Sequence, residues 1–372
     1  MKRLRIGVIG AGLIAQVEHI PNLVRLAERF ALIGVCDPSP SARDFIKARY
    51  GVTACPTIGE LIALGLDAVV VASPDALHVE HVLAALEAGL HVFCEKPLCY
   101  DPADAARIGA ARDRAGRVVQ LGYMKRFDPS YEALLELLPD DARGLRYVSV
   151  EVGDPDAWPF VGHHPYRRFD DIPTAAIEAT RAAQRAQVFA AVGMTLDATH
   201  FRGTTGPYCS SLVHDVNAVH GLLDRLGIAD GEIAGAQVFA GGGGGAAQIR
   251  LLHGHAVWNM VHLAVPGLAE YRERIALYFD DRIFELVFPS PYLNHQPTQL
   301  WIHRSTGERF EKTLVRASYQ EAFLRELEAF WSAIVEATPV RNTVEHAARD
   351  LTLLTRIAAH AQRNSPPSRV PS

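Results

Sequence analysis

The chain has 372 residues, 49% of them hydrophobic and 21% charged, with a formal net charge of −5. That length predicts two domains, and the composition excludes a disordered or fibrous chain. The mild acidity argues against a nucleic-acid or anionic-membrane partner.

Five cysteines (Cys36, Cys55, Cys94, Cys99, Cys209) form no C-x-x-C pair and no metal-ligand spacing. They read as buried free thiols in a reducing compartment. The opening "MKRLRIGVIG" resembles a signal peptide only superficially, because Gly10-Ala11-Gly12 interrupts the apolar run. No apolar run is long enough to span a bilayer, so the expected location is cytoplasmic, with no membrane contact.

In chain order, strands are predicted at 4–10, 32–37, 67–73, 91–96 and 118–124, with helical patterns between them. Continuous apolar strands alternating with helices predict a parallel sheet covered on both faces. After about Met124 come a short helix (129–138), a strand (145–152), an irregular stretch (154–173) and an Ala-rich helix (174–193). A helix containing "YCSSLVHDVNAVHGLL" (208–223) follows. Seven alternating segments between about 234 and 315 predict an antiparallel sheet. Gly241–Gly245 reads as a turn between strands, since no helix start follows it. Helices at 318–336 and 343–363 close the fold. The expectation is therefore α/β: a parallel-sheet domain over 1–123, an α+β domain on an open, largely antiparallel sheet over 124–364, and a disordered tail over 365–372.

"GVIGAGLIAQ" places Gly10-x-Gly12-x-x-Ala15 between the first strand and the first helix. Gly10 allows the tight turn, Gly12 lets the backbone approach a pyrophosphate, and Ala15 permits close helix–strand packing. With Ala11, Leu13 and Ile14 this makes a Rossmann dinucleotide loop. Asp37, ending the second strand, is suited to the ribose hydroxyls and would repel a 2′-phosphate. The expected cofactor is NAD rather than NADP, although Ser39 and Arg43 stand near enough to complicate that preference. Open parallel sheets bind ligands at the carboxyl ends of their strands. Here those ends carry Ser73, Pro74 and His78 after the third predicted strand, and Glu95, Lys96 and Pro97 after the fourth.

Gly10-Ala11-Gly12-Leu13-Ile14-Ala15, Ser73-Pro74 with His78, Glu95-Lys96-Pro97 and "GYMKRFDPSY" (122–131) together resemble the Gfo/Idh/MocA oxidoreductases. The resemblance implies a Rossmann domain followed by an α/β domain with an open antiparallel sheet. It implies NAD(P)-dependent hydride transfer on a sugar, cyclitol or glycoside hydroxyl. It makes Lys96 catalytic and adds Glu95, Lys96 and Arg126 to the cofactor contacts, with Tyr123 and Arg126 toward the substrate. Assembly as a homodimer or homotetramer through the open sheet is also implied, and a long apolar sheet face would need covering in any case. The family's Asp-x-x-x-His element falls on Ser210 to His214, so Ser210 stands where the aspartate is usual.

Helical geometry at about 100° per residue puts Leu212, Val216, Val219, Leu223 and Leu226 on one apolar seam. His214 lies about 200° from Leu212, with Ser210, Asn217 and Gly221 on its side. This polar stripe lacks Lys, Glu and Arg, which suits a cleft better than solvent. His220 reads as structural. In the irregular stretch, Trp158, His163 and His164 are the candidate substrate contacts, with an oligomer contact as the competing reading. No metal is expected, because His163-His164 has no third ligand at suitable spacing. Oxidising an alcohol needs a base, and a lysine serves if desolvation and a positive nicotinamide ring lower its usual value of about 10.4. Lys96 and His214 would flank the hydroxyl, with Ser210 and Asn217 positioning substrate. Two competing readings are transient oxidation by a tightly held NAD for elimination or epimerisation, and a non-catalytic dinucleotide-binding regulator.

Overall fold

The computed structural model describes residues 2–365. The tail expected over 365–372 lies outside them except for Ser365, whose hydroxyl meets His200 Nε2 at 2.8 Å. Among the described residues no helix is long and apolar enough to cross a membrane.

Six parallel strands form the first sheet: β1 (Leu4–Ile9), β2 (Phe30–Cys36), β3 (Thr53–Cys55), β4 (Ala68–Val71), β5 (His91–Cys94) and β6 (Val119–Leu121). Their spatial order, β3-β2-β1-β4-β5-β6, is that of a dinucleotide-binding sheet, with the order reversing between β1 and β4. Strand β4 is buried at every position, as expected of a strand with helices on both faces. Those helices are α1 (Ile20–Arg25), α2 (Pro40–Tyr50), α3 (Ile58–Ile62), α4 (His78–Glu87) and α5 (Pro102–Ala115). The helix expected from Leu13 onward starts there and winds through a π-helical turn, Ala15–His19, before α1.

Residues 129–137 form α6 (Pro129–Leu137), and β7 (Leu145–Asp154) opens the second sheet. The short helix α7 (Trp158–Val161) precedes α8 (Thr174–Val192) and α9 (Ala198–Gly203). A π-helical stretch, Thr204–Leu212, then runs into α10 (Val213–Arg225). Pro207 lies inside that stretch and has no N–H to continue an α ladder.

Strands β8 (Glu232–Val238), β9 (Gly244–Leu251), β10 (Ala256–Ala264), β11 (Arg272–Phe279), β12 (Arg282–Phe288), β13 (Gln299–Thr306) and β14 (Arg309–Val315) complete the second sheet, in the order β14-β13-β12-β11-β7-β10-β9-β8. All neighbours are antiparallel except β7 and β10, which run parallel. The inner face buries Ile249, Trp258, Met260, Ile275, Leu277 and Leu286. The open face mixes polar groups, among them Tyr147, Ser149, Gln248, Asn259 and Arg274, with apolar ones such as Ala236, Ala246 and Val261.

Two helices close the chain, α11 (Ala322–Val335) and α12 (Val344–Asn364). Leu327, Phe330 and Trp331 of α11 share a buried cluster with Leu4, Ile6 and Phe93, and Trp331 donates to the Lys2 carbonyl at 2.9 Å. The first sheet therefore completes one of its cores with a helix from the far end of the chain. A linear division at 123/124 does not convey this.

Helix α10 is buried on nearly every side rather than only along its seam. At Gly221, an added Cβ would run into the Tyr131 hydroxyl and the Arg126 guanidinium. The room expected there is filled by protein, not substrate.

Candidate active site

Gly10, at φ +98°, turns the chain after β1, and a side chain there would strike the Ala72 carbonyl after β4. Only glycine meets both conditions. By contrast, a Cβ on Gly12 would meet nothing within 4 Å. The loop is thus packed against the neighbouring strand on one side and open at Gly12, as a pyrophosphate cradle requires. Asp37 fixes it from below: its Oδ2 accepts from the Ala11 amide at 2.8 Å and its Oδ1 from the Ser39 amide at 2.9 Å.

The same strand ends border a cavity of about 360 Å³, within the size range of small-ligand sites. Ile14, Ser73, Lys96, Ser210 and His214 all line it. His78 also borders it, with its ring nitrogens on the carbonyls of Ser73 (2.8 Å) and Pro97 (2.7 Å), joining the ends of β4 and β5. Lys96 Nζ donates to the Ser210 carbonyl at 2.9 Å. Ser210 thus offers Lys96 a carbonyl at the position where the resembling family carries a carboxylate.

His214 borders the cavity with its Nδ1 buried and unpartnered, and Tyr123 stands edge-on behind it at 6.2 Å. Burial, reinforced by the Lys96 and Lys125 ammoniums, holds His214 well below the usual imidazole range. The ring is neutral at ordinary pH and able to exchange a hydrogen bond without carrying charge.

Glu95 also borders the cavity, with its carboxylate engaged by the protein on both oxygens. Its Oε1 pairs with His19 Nε2 at 2.6 Å, and its Oε2 accepts from the Lys96 amide at 3.1 Å. Burial favours its neutral form, but the His19 contact and the Lys96 charge outweigh that and hold it below the usual carboxylate range. His19, from the π-helical turn after the glycine loop, thereby ties the cofactor loop to the strand end that carries Lys96.

Several expected contacts are placed elsewhere. Arg126 is buried, and its Nε and Nη2 both donate to the Asn217 carbonyl at 2.9 and 2.7 Å. Asn217 turns its own side chain to Asp350 (2.7 Å), which also holds His220 Nδ1 at 2.6 Å. Tyr123 is fully buried behind His214. Leu13 and Pro74 do not border the cavity, although Ile14 and Ser73 beside them do. Trp158 is 69% exposed, and Ala157, capping that short helix, and Phe160 within it border the cavity instead. Those two are three residues apart, on one helix face, with Trp158 off it. His163 stacks on His164, and His164 Nε2 meets the Tyr292 carbonyl at 2.8 Å, one layer behind the lining.

What sequence reasoning missed is a buried charged group on the opposite wall. Lys125 Nζ bonds Asp215 Oδ1 at 2.8 Å and Glu273 Oε1, and Tyr271 lines the same cavity. Lys125 and Glu273 also border it. Burial opposes a charged Lys125, but its two carboxylates outweigh that and raise it. Burial and the neighbouring Glu273 push Asp215 above the usual carboxylate range. A signal existed in β11, where alternation puts Glu273 on the buried face with Ile275 and Leu277. No spacing rule chose Lys125 over Arg126 in "MKRF".

An adjoining cavity of about 60 Å³ shares Lys125 and Glu273 and adds Glu18. Burial, with Glu321 nearby, pushes Glu18 from its ordinary 4.5 to about 8. A carboxyl raised on folding stays protonated in the native state while the unfolded chain ionises, so stability falls as pH rises from about 4.5 to about 8. Glu18→Gln removes that slope. Urea unfolding is expected to show the variant gaining on the parent between pH 5 and pH 8, by on the order of a few kcal/mol. Parallel pH dependences in the two proteins would contradict it.

With the geometry described, comparison with known proteins is direct. Residues 4–123 match the model of the oxidoreductase family with an NAD-binding Rossmann fold. Among characterised relatives, inositol 2-dehydrogenase 3 of Saccharopolyspora erythraea is 40% identical over 144 residues, 38% of this chain and 42% of that protein. An inositol 2-dehydrogenase of Ralstonia nicotianae is 38% identical over 145 residues, 38% of this chain and 43% of its own length. The match thus spans under half of these relatives. Solved structures are similar over nearly the whole chain at low identity. A UDP-N-acetylglucosamine 3-dehydrogenase from Acidithiobacillus ferrooxidans gives a TM-score of 0.70 at 20% identity, covering 98% of this chain and 99% of that one. A 3-ketoreductase from Actinomadura kijaniata, in complex with NADP and TDP-benzene, gives 0.73 at 20% identity, covering 97% and 98%. Both likenesses show the same fold, a parallel sheet followed by a largely antiparallel one.

Proposed function

We propose that the protein is an NAD-dependent dehydrogenase acting on a hydroxyl of a cyclitol, sugar or glycoside, a reading supported by the match of residues 4–123 to the oxidoreductase family with an NAD-binding Rossmann fold. The observation that carries the reading is the convergence of Lys96 and a neutral His214 on one cavity, at the carboxyl ends of β4 and β5 beside the open Gly12 loop. A bound nicotinamide would supply the hydride acceptor. The chain's own residues would manage the proton. Lys96, held by the Ser210 carbonyl, would act as the uncharged amine and take the hydroxyl proton as the carbon loses hydride, becoming the ammonium; His214 orients the oxygen and passes the proton outward. In the reverse direction the same pair donates it. Lys125, Tyr271 and Glu273 give the opposite wall the charged and hydrogen-bonding groups that a polyol needs.

Asp37 supports NAD over NADP, since a carboxylate at the end of β2 suits a ribose diol and repels a phosphate. The relatives' names support a cyclitol or sugar substrate. Tyr147, Asn259 and Arg274 on the open sheet face would supply the polar contacts of a homodimer or homotetramer interface. Five buried free cysteines support a reducing, cytoplasmic setting.

Incubation with NAD+ and a panel of cyclitols, sugars and glycosides tests the function, with NADH absorbance as the readout. At least one member is expected to give net, continuing NADH formation. Firm NAD+ binding with no NADH from any member would turn the reading toward transient oxidation or toward a regulator.

A further inference from the structure

The turn after β2 carries groups that could receive a phosphate: the Ser39 hydroxyl, the Ser41 amide in the first turn of α2, and Arg43. In a dinucleotide-binding sheet this turn flanks the ribose 2′ position, where an arginine commonly accommodates the phosphate of NADP. Here the Ser39 hydroxyl, the Ser41 amide and one terminal nitrogen of Arg43 are occupied by the protein itself. The Ser39 hydroxyl donates to Asp171 Oδ1, and the Ser41 amide donates to Asp171 Oδ2 at 2.8 Å. Arg43 Nη1 donates to the carbonyls of Asp37 and Pro38 at 2.8 and 2.9 Å.

Asp171 belongs to the second domain, in the irregular stretch between α7 and α8. Its placement is held by neighbours on the same strap. The Gln16 side-chain amide pairs in both directions with the Arg167 backbone, each bond 3.0 Å, while also donating to the Ala11 carbonyl at 2.7 Å. Phe169 tilts against Phe45 of α2 at 5.8 Å, and the Arg167 guanidinium lies over the Phe45 ring. The strap is therefore fastened to both the glycine loop and α2.

We propose that Asp171 is a second coenzyme-specificity residue, a carboxylate supplied by the substrate domain that fills the place of a 2′-phosphate and excludes NADP. The proposal rests on the dinucleotide-binding reading of the site and deepens it. Asp37 alone would repel a phosphate by charge. Asp171 adds a second negative charge and also takes the donors a phosphate would use, so NADP must both displace it and approach two carboxylates. Its bonds to Ser39 and Ser41 hold Asp171 down at about 2, so the carboxylate is ionised throughout the physiological range. A ribose with free hydroxyls brings no charge and can donate to the oxygens present.

The test is equilibrium titration of the full-length protein with NAD+ and with NADP+, followed by protein fluorescence. It compares the parent with Asp171→Asn and Asp171→Glu. The parent is expected to prefer NAD+. Asp171→Asn is expected to shift the ratio of the two dissociation constants toward NADP+ by about tenfold or more, with NAD+ affinity changed by less than about threefold. Asp171→Glu, which keeps the charge, is expected to stay near the parent ratio. A strap that serves only to hold the fold would weaken both dinucleotides together and leave the ratio unmoved. That result, or a parent that prefers NADP+, overturns the role of Asp171. A parent that binds neither dinucleotide overturns the underlying reading of the site instead.

Discussion

Lys96→Ala is expected to lower kcat by roughly 10²- to 10⁴-fold while leaving NAD+ affinity within about threefold. The side chain is placed at the cavity by the end of β5 and is held by one hydrogen bond, to the Ser210 carbonyl. Its removal therefore takes away a proton acceptor without opening the core. Lys96→Arg is expected to be equally slow, because a guanidinium keeps its proton and cannot serve as a base. His214→Ala is expected to lower turnover in the same sense. Since burial and two neighbouring ammoniums keep His214 neutral, it contributes no ionisation to the pH–rate profile near the usual imidazole range. Steady-state kinetics on the best substrate of the panel, with NAD+ titrations alongside, decide the matter. Turnover near that of the parent in both alanine variants would remove Lys96 and His214 from the chemistry.

The second large effect is on stability. Lys125→Met is expected to destabilise the protein by about 3–5 kcal/mol at pH 8, the usual consequence of stripping a buried charge of its partner. Lys125, Asp215 and Glu273 are each 4% exposed or less, and the ammonium answers both carboxylates at once. Without it, Asp215 and Glu273 face each other unneutralised and must hold protons to stay buried. The value of Asp215, already raised by burial and by Glu273, then rises further above that of the unfolded chain. The sign follows from linkage: the penalty is smallest at low pH, where both states are protonated, and grows as pH rises through the ordinary carboxylate range. Urea unfolding at pH 5 and pH 8 should show the gap between parent and variant widening with pH. A constant gap would mean that the three groups do not act as one charged unit.

Much of the architecture was legible because it rests on local patterning. Apolar runs separated by helical periods marked five of the six strands of the first sheet. Strand β3 escaped, being only three residues long and buried at Cys55 alone. The strands of the second sheet were legible from alternation, but alternation carries no information about direction. The parallel pairing of β7 with β10, about a hundred residues apart, follows from long-range packing. At the site, residues on strand ends could be placed from sequence: Gly10 and Gly12 after β1, Asp37 after β2, Lys96 after β5. Residues placed by helix arithmetic fared unevenly: Ser210 and His214 border the cavity, whereas Asn217, within the regular helix α10, turns to the core. The partner that claims Asn217, Asp350 on α12, lies 133 residues away. Asp171 was invisible for the same reason, since its target at Ser39 and Ser41 is some 130 residues distant and nothing local to the strap announces it.

The central claim is that Lys96 and His214 share one substrate hydroxyl in front of a bound nicotinamide. A crystal structure with NAD+ and the best cyclitol or sugar of the panel tests it most directly. The predicted result is a single hydroxyl oxygen about 2.6–3.2 Å from both Lys96 Nζ and the His214 ring, with its carbon about 3–3.5 Å from the nicotinamide. A substrate bound with that carbon against the nicotinamide but its hydroxyl held by other groups, Lys96 still on the Ser210 carbonyl, would contradict it.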